Sequence, residues 1–184
     1  MARTRFGLVL IAVLWVGPAP LVAQTAEIER AVLPLPEGER AGATVMSLAD
    51  GTWTVAREGD GEFICLADDP GDDGFQVACY HRSLEPYMAR GRELRAEGVA
   101  GRESIQRRWA EIEAGSLEMP AHAALHQVLA EPGWDGDPAT ARRLTVIYVP
   151  FATATELGLP AEGSGGGPWL MFPGRPTAHI MIPG

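Results

Sequence analysis

Two histidines four residues apart have the spacing in this chain that comes nearest to a metal site. On a helix, His122 and His126 would lie on one face, where both imidazoles could reach the same ion. His81 or His179 would have to supply a further ligand. However, Leu125 lies beside the pair, and no glutamate follows His122 as in the H-E-x-x-H motif of zinc hydrolases. We therefore predict no metal site, and a metal-dependent hydrolase or metal-binding protein built on these histidines is the alternative.

The remaining motifs for catalysis are incomplete. Ser164 has glycine neighbours, but a nucleophile elbow needs glycine two positions away on both sides, and Glu162 occupies one of those positions. The chain has no lysine, which excludes Schiff-base chemistry and a Walker-type phosphate loop. The acidic segment 68–74 lacks the order of acids that an EF-hand needs, so we interpret it as a solvated loop. We predict no catalytic residue and no cofactor.

His179 heads the second of two apolar runs near the C-terminus, Trp169–Phe172 and His179–Ile182. A Pro-Gly-Arg-Pro sequence joins the runs and favours a turn, so the segment predicts a β-hairpin. Along the second run His179 would share a face with Met181, and Ile180 would lie on the other face. A neutral imidazole can donate one hydrogen bond and accept another. We interpret His179 as a structural residue that satisfies backbone groups near a loop.

The first residues have the order of a secretory signal peptide. Two arginines precede an unbroken apolar run, residues 6–16, and the small residue Ala23 comes after glycine and proline breakers. The run is too short for a membrane anchor. We predict a signal peptide over Met1–Ala23, a single domain over residues 24–184, and no membrane anchor after cleavage.

The net charge of the chain indicates whether nucleic acids could be its partners. Loss of the first 23 residues would remove two arginines and no acids, and would change the formal net charge from −9 to −11. All 15 basic residues are arginine. An acidic surface with scattered arginines repels phosphate backbones, so we predict no nucleic-acid partner.

Cys65 and Cys79 are the two cysteines of the chain. In an exported protein, two cysteines are most simply one disulfide, here closing a loop of about 15 residues. A free thiol or metal thiolates is the alternative interpretation, and no C-x-x-C spacing supports redox catalysis. The predicted location is secreted or periplasmic.

The first half of the chain has the pattern of strands. Three β-prone runs, at residues 43–48, 52–57 and 62–66, are separated by glycine-rich turns and predict a three-stranded meander. Ahead of them, residues 26–33 predict a short helix that ends at Pro34.

Helices and further strands follow. From Ser83 the apolar period becomes helical, with a break near residues 98–101, so two helices are expected before Gly115. A third helix is expected from Pro120 to about Ala130, and it would carry His122 and His126. Leu144–Val149 predicts a strand ahead of the closing hairpin, and residues 153–158 predict one helical turn. The fold class is α+β: a largely antiparallel sheet of about five or six strands, with helices from the middle of the chain packed on one face.

Three segments resemble a group of uncharacterised exported bacterial proteins. They are Ala56-Arg57-Glu58-Gly59 leading to Phe63-Ile64-Cys65-Leu66, then Cys79 with Tyr87-Met88, and the closing Trp169-Leu170-Met171-Phe172-Pro173-Gly174 with Ala178-His179-Ile180-Met181-Ile182-Pro183. The resemblance implies a signal peptide, paired cysteines and a compact domain from about Glu27 onward. It implies no activity and no catalytic residues.

The sequence therefore favours a binding or structural module over an enzyme, with an unknown ligand or protein as its partner. A binding module should have an open groove lined by Trp53, Tyr148 or Trp169. A metalloenzyme should bring three of the four histidines, or two with an acid, to one point.

Overall fold

Eight strands form one mixed sheet in this protein, whose structure is a computed structural model describing residues 19–163 and 165–184. Every pairing in the sheet is antiparallel except that between the first and third strands. The strands are β1 Thr44–Ala49, β2 Thr52–Arg57, β3 Phe63–Leu66, β4 Phe75–His81, β5 Ala123–Ala130, β6 Arg142–Tyr148, β7 Trp169–Met171 and β8 His179–Pro183. Their order across the sheet is β2-β1-β3-β4-β5-β6-β8-β7.

Five helices accompany the sheet within the described residues. They are α1 Ala19–Ala31, α2 Glu37–Arg40, α3 Glu85–Ala96, α4 Gly101–Glu113 and α5 Ala154–Leu157, and a 3₁₀ turn, Arg82–Leu84, leads directly into α3. The α+β class is confirmed. The expected strand number was too low, because β4 was not anticipated and β5 was assigned to a helix.

The predicted third helix is wrong, because residues 123–130 form the strand β5 in the interior of the sheet. The segment is rich in alanine and leucine, which favour helices in isolation. In the fold, however, β5 pairs with β4 on one side and with β6 on the other, so its backbone groups are satisfied by neighbouring strands. Ala123 and Leu125 are buried on one face of the sheet. His122 and His126 therefore do not lie on a helix.

The predicted meander is also wrong, because β3 pairs with β1 in parallel and not with β2. The connection after β2 passes closely over the start of β1. Gly61 donates from its amide to the carbonyl of Gly42 at 2.8 Å. A Cβ on Gly59 would lie 2.2 Å from the same carbonyl oxygen. A glycine at this position lets the chain cross to the far side of β1.

The sheet buries apolar side chains on both faces, because neighbouring residues of a strand point to opposite sides. On one face, Leu35 and the end of α1 pack against Val45, Cys65 and Cys79. On the other face, Tyr87 of α3 belongs to a core cluster with Tyr80, Leu125, Val146 and Tyr148 of the strands. Helices thus cover parts of both faces.

Cys65 and Cys79 are directly opposite each other on β3 and β4, and they form a disulfide with an S–S distance of 2.10 Å. Both cysteines are fully buried beneath α1. An intramolecular disulfide is typical of proteins from oxidising compartments outside the cytoplasm.

The predicted signal peptide, Met1–Ala23, lies mostly outside the described residues. Of that segment, the structure describes the backbone from Ala19 onward as the beginning of α1. In the described part of the chain, none of the helices has the length and apolar character needed to cross a bilayer.

Candidate functional site

A groove between the β1–β2 hairpin and α3 contains Trp53, one of the three aromatic residues expected at a binding groove. Two adjoining cavities of about 440 and 280 Å³ share Gly51, Trp53, Arg92 and Ala96. We call this region the Trp53 groove. The larger cavity is lined by Leu48, Asp50, Gly51, Trp53, Asp69, Pro70, Arg92, Arg95 and Ala96, and the smaller one adds Met46, Thr52, Ala89 and Glu93.

The hairpin places Trp53 in the groove because of its tight turn. Asp50 and Gly51 both have positive φ angles, 50° and 74°, which suits a two-residue turn between twisted strands. The turn pairs Leu48 with Trp53 across β1 and β2. Both side chains therefore point to the sheet face on which α3 lies, and Trp53 is half-buried there.

Hydrogen bonds to Tyr80, which is buried, and to Glu85, which is half-buried, fix the position of Arg92. Its Nη1 donates to the Tyr80 hydroxyl at 2.9 Å, and its Nη2 donates to Oε1 of Glu85 at 2.5 Å. The Tyr80 hydroxyl in turn donates to Oε2 of Glu85 at 2.5 Å, which closes the triangle. Burial, together with this hydrogen bond to Glu85, raises the pKa of Tyr80, so the phenol remains a neutral donor. A guanidinium has five N–H groups, and this triangle uses two of them.

The charges in the Trp53 groove are largely paired within the protein. Arg95 forms an ion pair with Asp69, with Nη2 and Oδ2 2.8 Å apart. Arg92 is paired with Glu85, and Glu93 with Arg90. An anionic ligand would therefore compete with carboxylates already bound to both arginines. The groove better suits a ligand that offers hydrogen-bond donors and acceptors without net charge.

Tyr148 and Trp169, the other two residues expected at a groove, do not line it. Tyr148 is buried on β6, with its ring centroid 6.0 Å from that of Tyr87 and 5.1 Å from that of His179. Burial raises the pKa of Tyr148. Trp169 is half-buried on β7 at the opposite edge of the sheet from Trp53.

His179 lies in the core between the closing hairpin and the helices. Its Nδ1 donates to the carbonyl oxygen of Thr177 at 2.7 Å, which is the kind of backbone contact that a structural role requires. Burial lowers its pKa, and the hydrogen bond to Thr177 opposes that shift. The rings of Tyr148 and Phe172 pack beside the imidazole.

The other three histidines do not lie beside His179. They lie on the opposite face of the sheet or elsewhere along it. His126 lies on the cysteine-bearing face, where Nδ1 is 3.2 Å from Oγ1 of Thr145 and burial lowers its pKa. His122 is exposed in the loop before β5. His81 ends β4, next to Glu62. Among the described residues, no three His, Cys, Asp or Glu side chains are grouped so that they could hold a metal ion.

Trp53 was predicted to line a groove, but the residues that position Arg92 were not anticipated. The heptad spacing of Glu85 and Arg92 on a helical segment was visible, since such residues lie two turns apart on one face. The contribution of Tyr80 was not visible, because the strand β4 that carries it was not anticipated.

Comparison of the chain with protein-family models, with curated proteins and with solved structures found no match.

Proposed function

We propose that this protein is an exported, disulfide-stabilised binding module, and that the Trp53 groove binds a small neutral ligand rich in hydroxyl groups, of the saccharide class. The observation that supports the proposal most is the fixed position of Arg92 beside Trp53. The indole of Trp53 provides an apolar contact surface. The guanidinium of Arg92, held in one orientation, provides hydrogen-bond donors with a fixed direction at the same place.

The ligand class follows from the charge balance and the size of the groove. Hydroxyl groups can accept from Arg92 and donate to carboxylates such as Asp50, so a neutral polyhydroxylated ligand matches both signs of charge in the lining. A volume of about 440 Å³ lies within the usual range for small-molecule sites, roughly 300–1,000 Å³. The faces of sugar rings are apolar enough to pack against an indole.

Export is supported by two independent features. The N-terminal segment has the order of a signal peptide, and the cysteines form an intramolecular disulfide. If export occurs as proposed, protein recovered from the periplasm of a bacterial host begins at Gln24. A mature chain that retains the first 23 residues would contradict this part of the proposal.

The binding function is tested by a calorimetric screen of neutral mono- and disaccharides against the purified protein. We expect at least one of them to bind with 1:1 stoichiometry. Trp53→Ala and Arg92→Gln should each weaken that binding at least tenfold. Trp134→Ala is the matched control, because Trp134 lines a separate cavity next to Phe75, and it should leave the affinity unchanged.

Two results would count against the proposal. Binding of a saccharide that survives Trp53→Ala would place the site elsewhere. Tight binding of a charged carboxylate or phosphate, with no binding of neutral sugars, would contradict the ligand class.

A further inference from the structure

A serine, a histidine and a glutamate lie close together beside the 3₁₀ turn that leads into α3. The Ser83 hydroxyl lies 2.8 Å from Nδ1 of His81, and Nε2 of the same imidazole lies 3.4 Å from Oε2 of Glu62. The arrangement is separate from the Trp53 groove, whose lining includes none of the three residues.

The contacts determine which ring nitrogen of His81 carries the proton. Nδ1 accepts from the backbone amide of Ser83 at 3.2 Å and faces the Ser83 hydroxyl as well. An amide can only donate, so Nδ1 is unprotonated in the neutral ring. Nε2 therefore carries the hydrogen, and it is the ring nitrogen that lies near Glu62. An unprotonated nitrogen next to a serine hydroxyl is the arrangement of a general base and its nucleophile.

Ser83 also lines a cavity of about 650 Å³. The cavity has an apolar wall made by Pro86, Leu117, Met119 and Pro120. Ser83 itself is exposed to solvent, so a substrate in the cavity can reach its hydroxyl.

We propose that Ser83 and His81 form a nucleophile and base pair that hydrolyses carboxylic esters with small apolar acyl groups. Ser83 Oγ bonds to the ester carbonyl carbon as its proton passes to Nδ1 of His81. The bond from that carbon to the alkoxy oxygen breaks, and the alcohol leaves with the proton from Nδ1. Water then attacks the acyl carbon and gives a proton to Nδ1, and that proton returns to Ser83 Oγ as the carboxylic acid leaves.

Glu62 is a positioning residue in this scheme. Its Oε2 lies 3.4 Å from Nε2 of His81, and a carboxylate at this distance favours the tautomer that keeps the proton on Nε2 and leaves Nδ1 free as a base. A neutral acceptor at the same place preserves the tautomer, so Glu62→Gln should retain most of the reactivity that Glu62→Leu loses.

The test is reaction of the protein, purified under oxidising conditions, with a fluorophosphonate, which bonds to an activated serine oxygen and releases fluoride. We expect one adduct per chain, mapped to Ser83 by peptide mass spectrometry. We also expect hydrolysis of p-nitrophenyl butyrate that the adduct abolishes. Ser116→Ala is the matched control, because Ser116 is exposed near the same cavity but its hydroxyl donates to a backbone carbonyl, that of Glu111.

His81→Asn separates catalysis from helix capping. Asparagine can accept from the Ser83 amide as a helix cap, so this variant should fold, but it has no basic nitrogen. We expect it to lower the labelling rate of Ser83 about 100-fold. A labelling rate equal to that of the unaltered protein, or no adduct at Ser83 in the folded protein, would overturn the proposal and leave His81 as a cap alone.

Discussion

Trp109 on α4 donates from its indole Nε1 to Oγ1 of Thr177, which is 2.6 Å away and lies two residues before β8. Thr177 is almost completely buried. This contact joins the helix layer to the closing hairpin, and the ring of Phe172 packs edge-on against Trp109 at the same place. The C-terminal residues are therefore part of the core.

Deleting residues 169–184 should prevent folding. The deletion removes β7 and β8, exposes the edge of β6 and opens the core around Tyr148. Within the hairpin, Leu170→Ala should lower the free energy of unfolding by about 2–5 kcal/mol, since Leu170 is fully buried. Ile180→Ala should cost less, since Ile180 is half-buried. Circular dichroism during urea unfolding measures these changes, and a truncated chain that still unfolds cooperatively at the original midpoint would show that the hairpin is an appendage.

The protein should lose stability as the pH falls from 7.5 to 5.5. Burial lowers the pKa values of His179 and His126, so the unfolded chain binds protons that the folded chain does not. Stability is therefore highest above the ordinary histidine pKa of about 6.5 and decreases below it. Replacing both histidines with glutamine should reduce the difference between the urea midpoints at the two pH values. An equal difference in the variant and the unaltered protein would assign the effect to other groups.

Removing the disulfide should destabilise the fold without changing its topology. The cysteines are 14 positions apart, and a closed loop of this length contributes roughly 3 kcal/mol through the unfolded chain. We expect the double variant Cys65→Ala and Cys79→Ala to show that loss in urea unfolding. Two reactive thiols in the unfolded, unreduced protein would contradict the disulfide itself.

Gly59→Ala should disrupt the crossing from β2 to β3. The added methyl group would meet the Gly42 carbonyl, which belongs to the backbone and cannot move aside without shifting β1. We expect a loss of several kcal/mol or failure to fold. Gly38→Ala is the control, because no atom lies within 4 Å of its added Cβ and the residue is in α2. Equal unfolding midpoints for the two variants would show that the crossing is not tight.

Some elements could be predicted from the sequence because local preference and tertiary environment agree there. The closing hairpin has β-branched and aromatic residues on either side of a proline-glycine turn, and β7 and β8 form where those runs lie. The two helices after Ser83 end and restart near Gly98, whose φ of 81° suits a glycine after a helix. In β5 local preference and environment disagree, since Ala124 and Leu125 favour a helix but lie between two partner strands.

The candidate sites were harder to anticipate because they join distant elements. Tyr80 meets Glu85 and Arg92 only because β4 lies beneath α3. Ser83 and His81 are close in sequence, yet their contact depends on the 3₁₀ turn that follows β4. Of these relations, only the heptad spacing of Glu85 and Arg92 has a signature in the order of residue types.

The central claim is that the Trp53 groove binds a neutral, hydroxyl-rich ligand, and ¹⁹F NMR of the protein labelled with 5-fluorotryptophan tests it most directly. Titration with the neutral saccharides should shift the Trp53 resonance, assigned with Trp53→Phe, in a saturable way and leave that of Trp134 unchanged. Arg92→Gln should weaken the response at least tenfold. A Trp53 resonance that stays fixed through the whole series, or shifts equally in Arg92→Gln, would contradict the account.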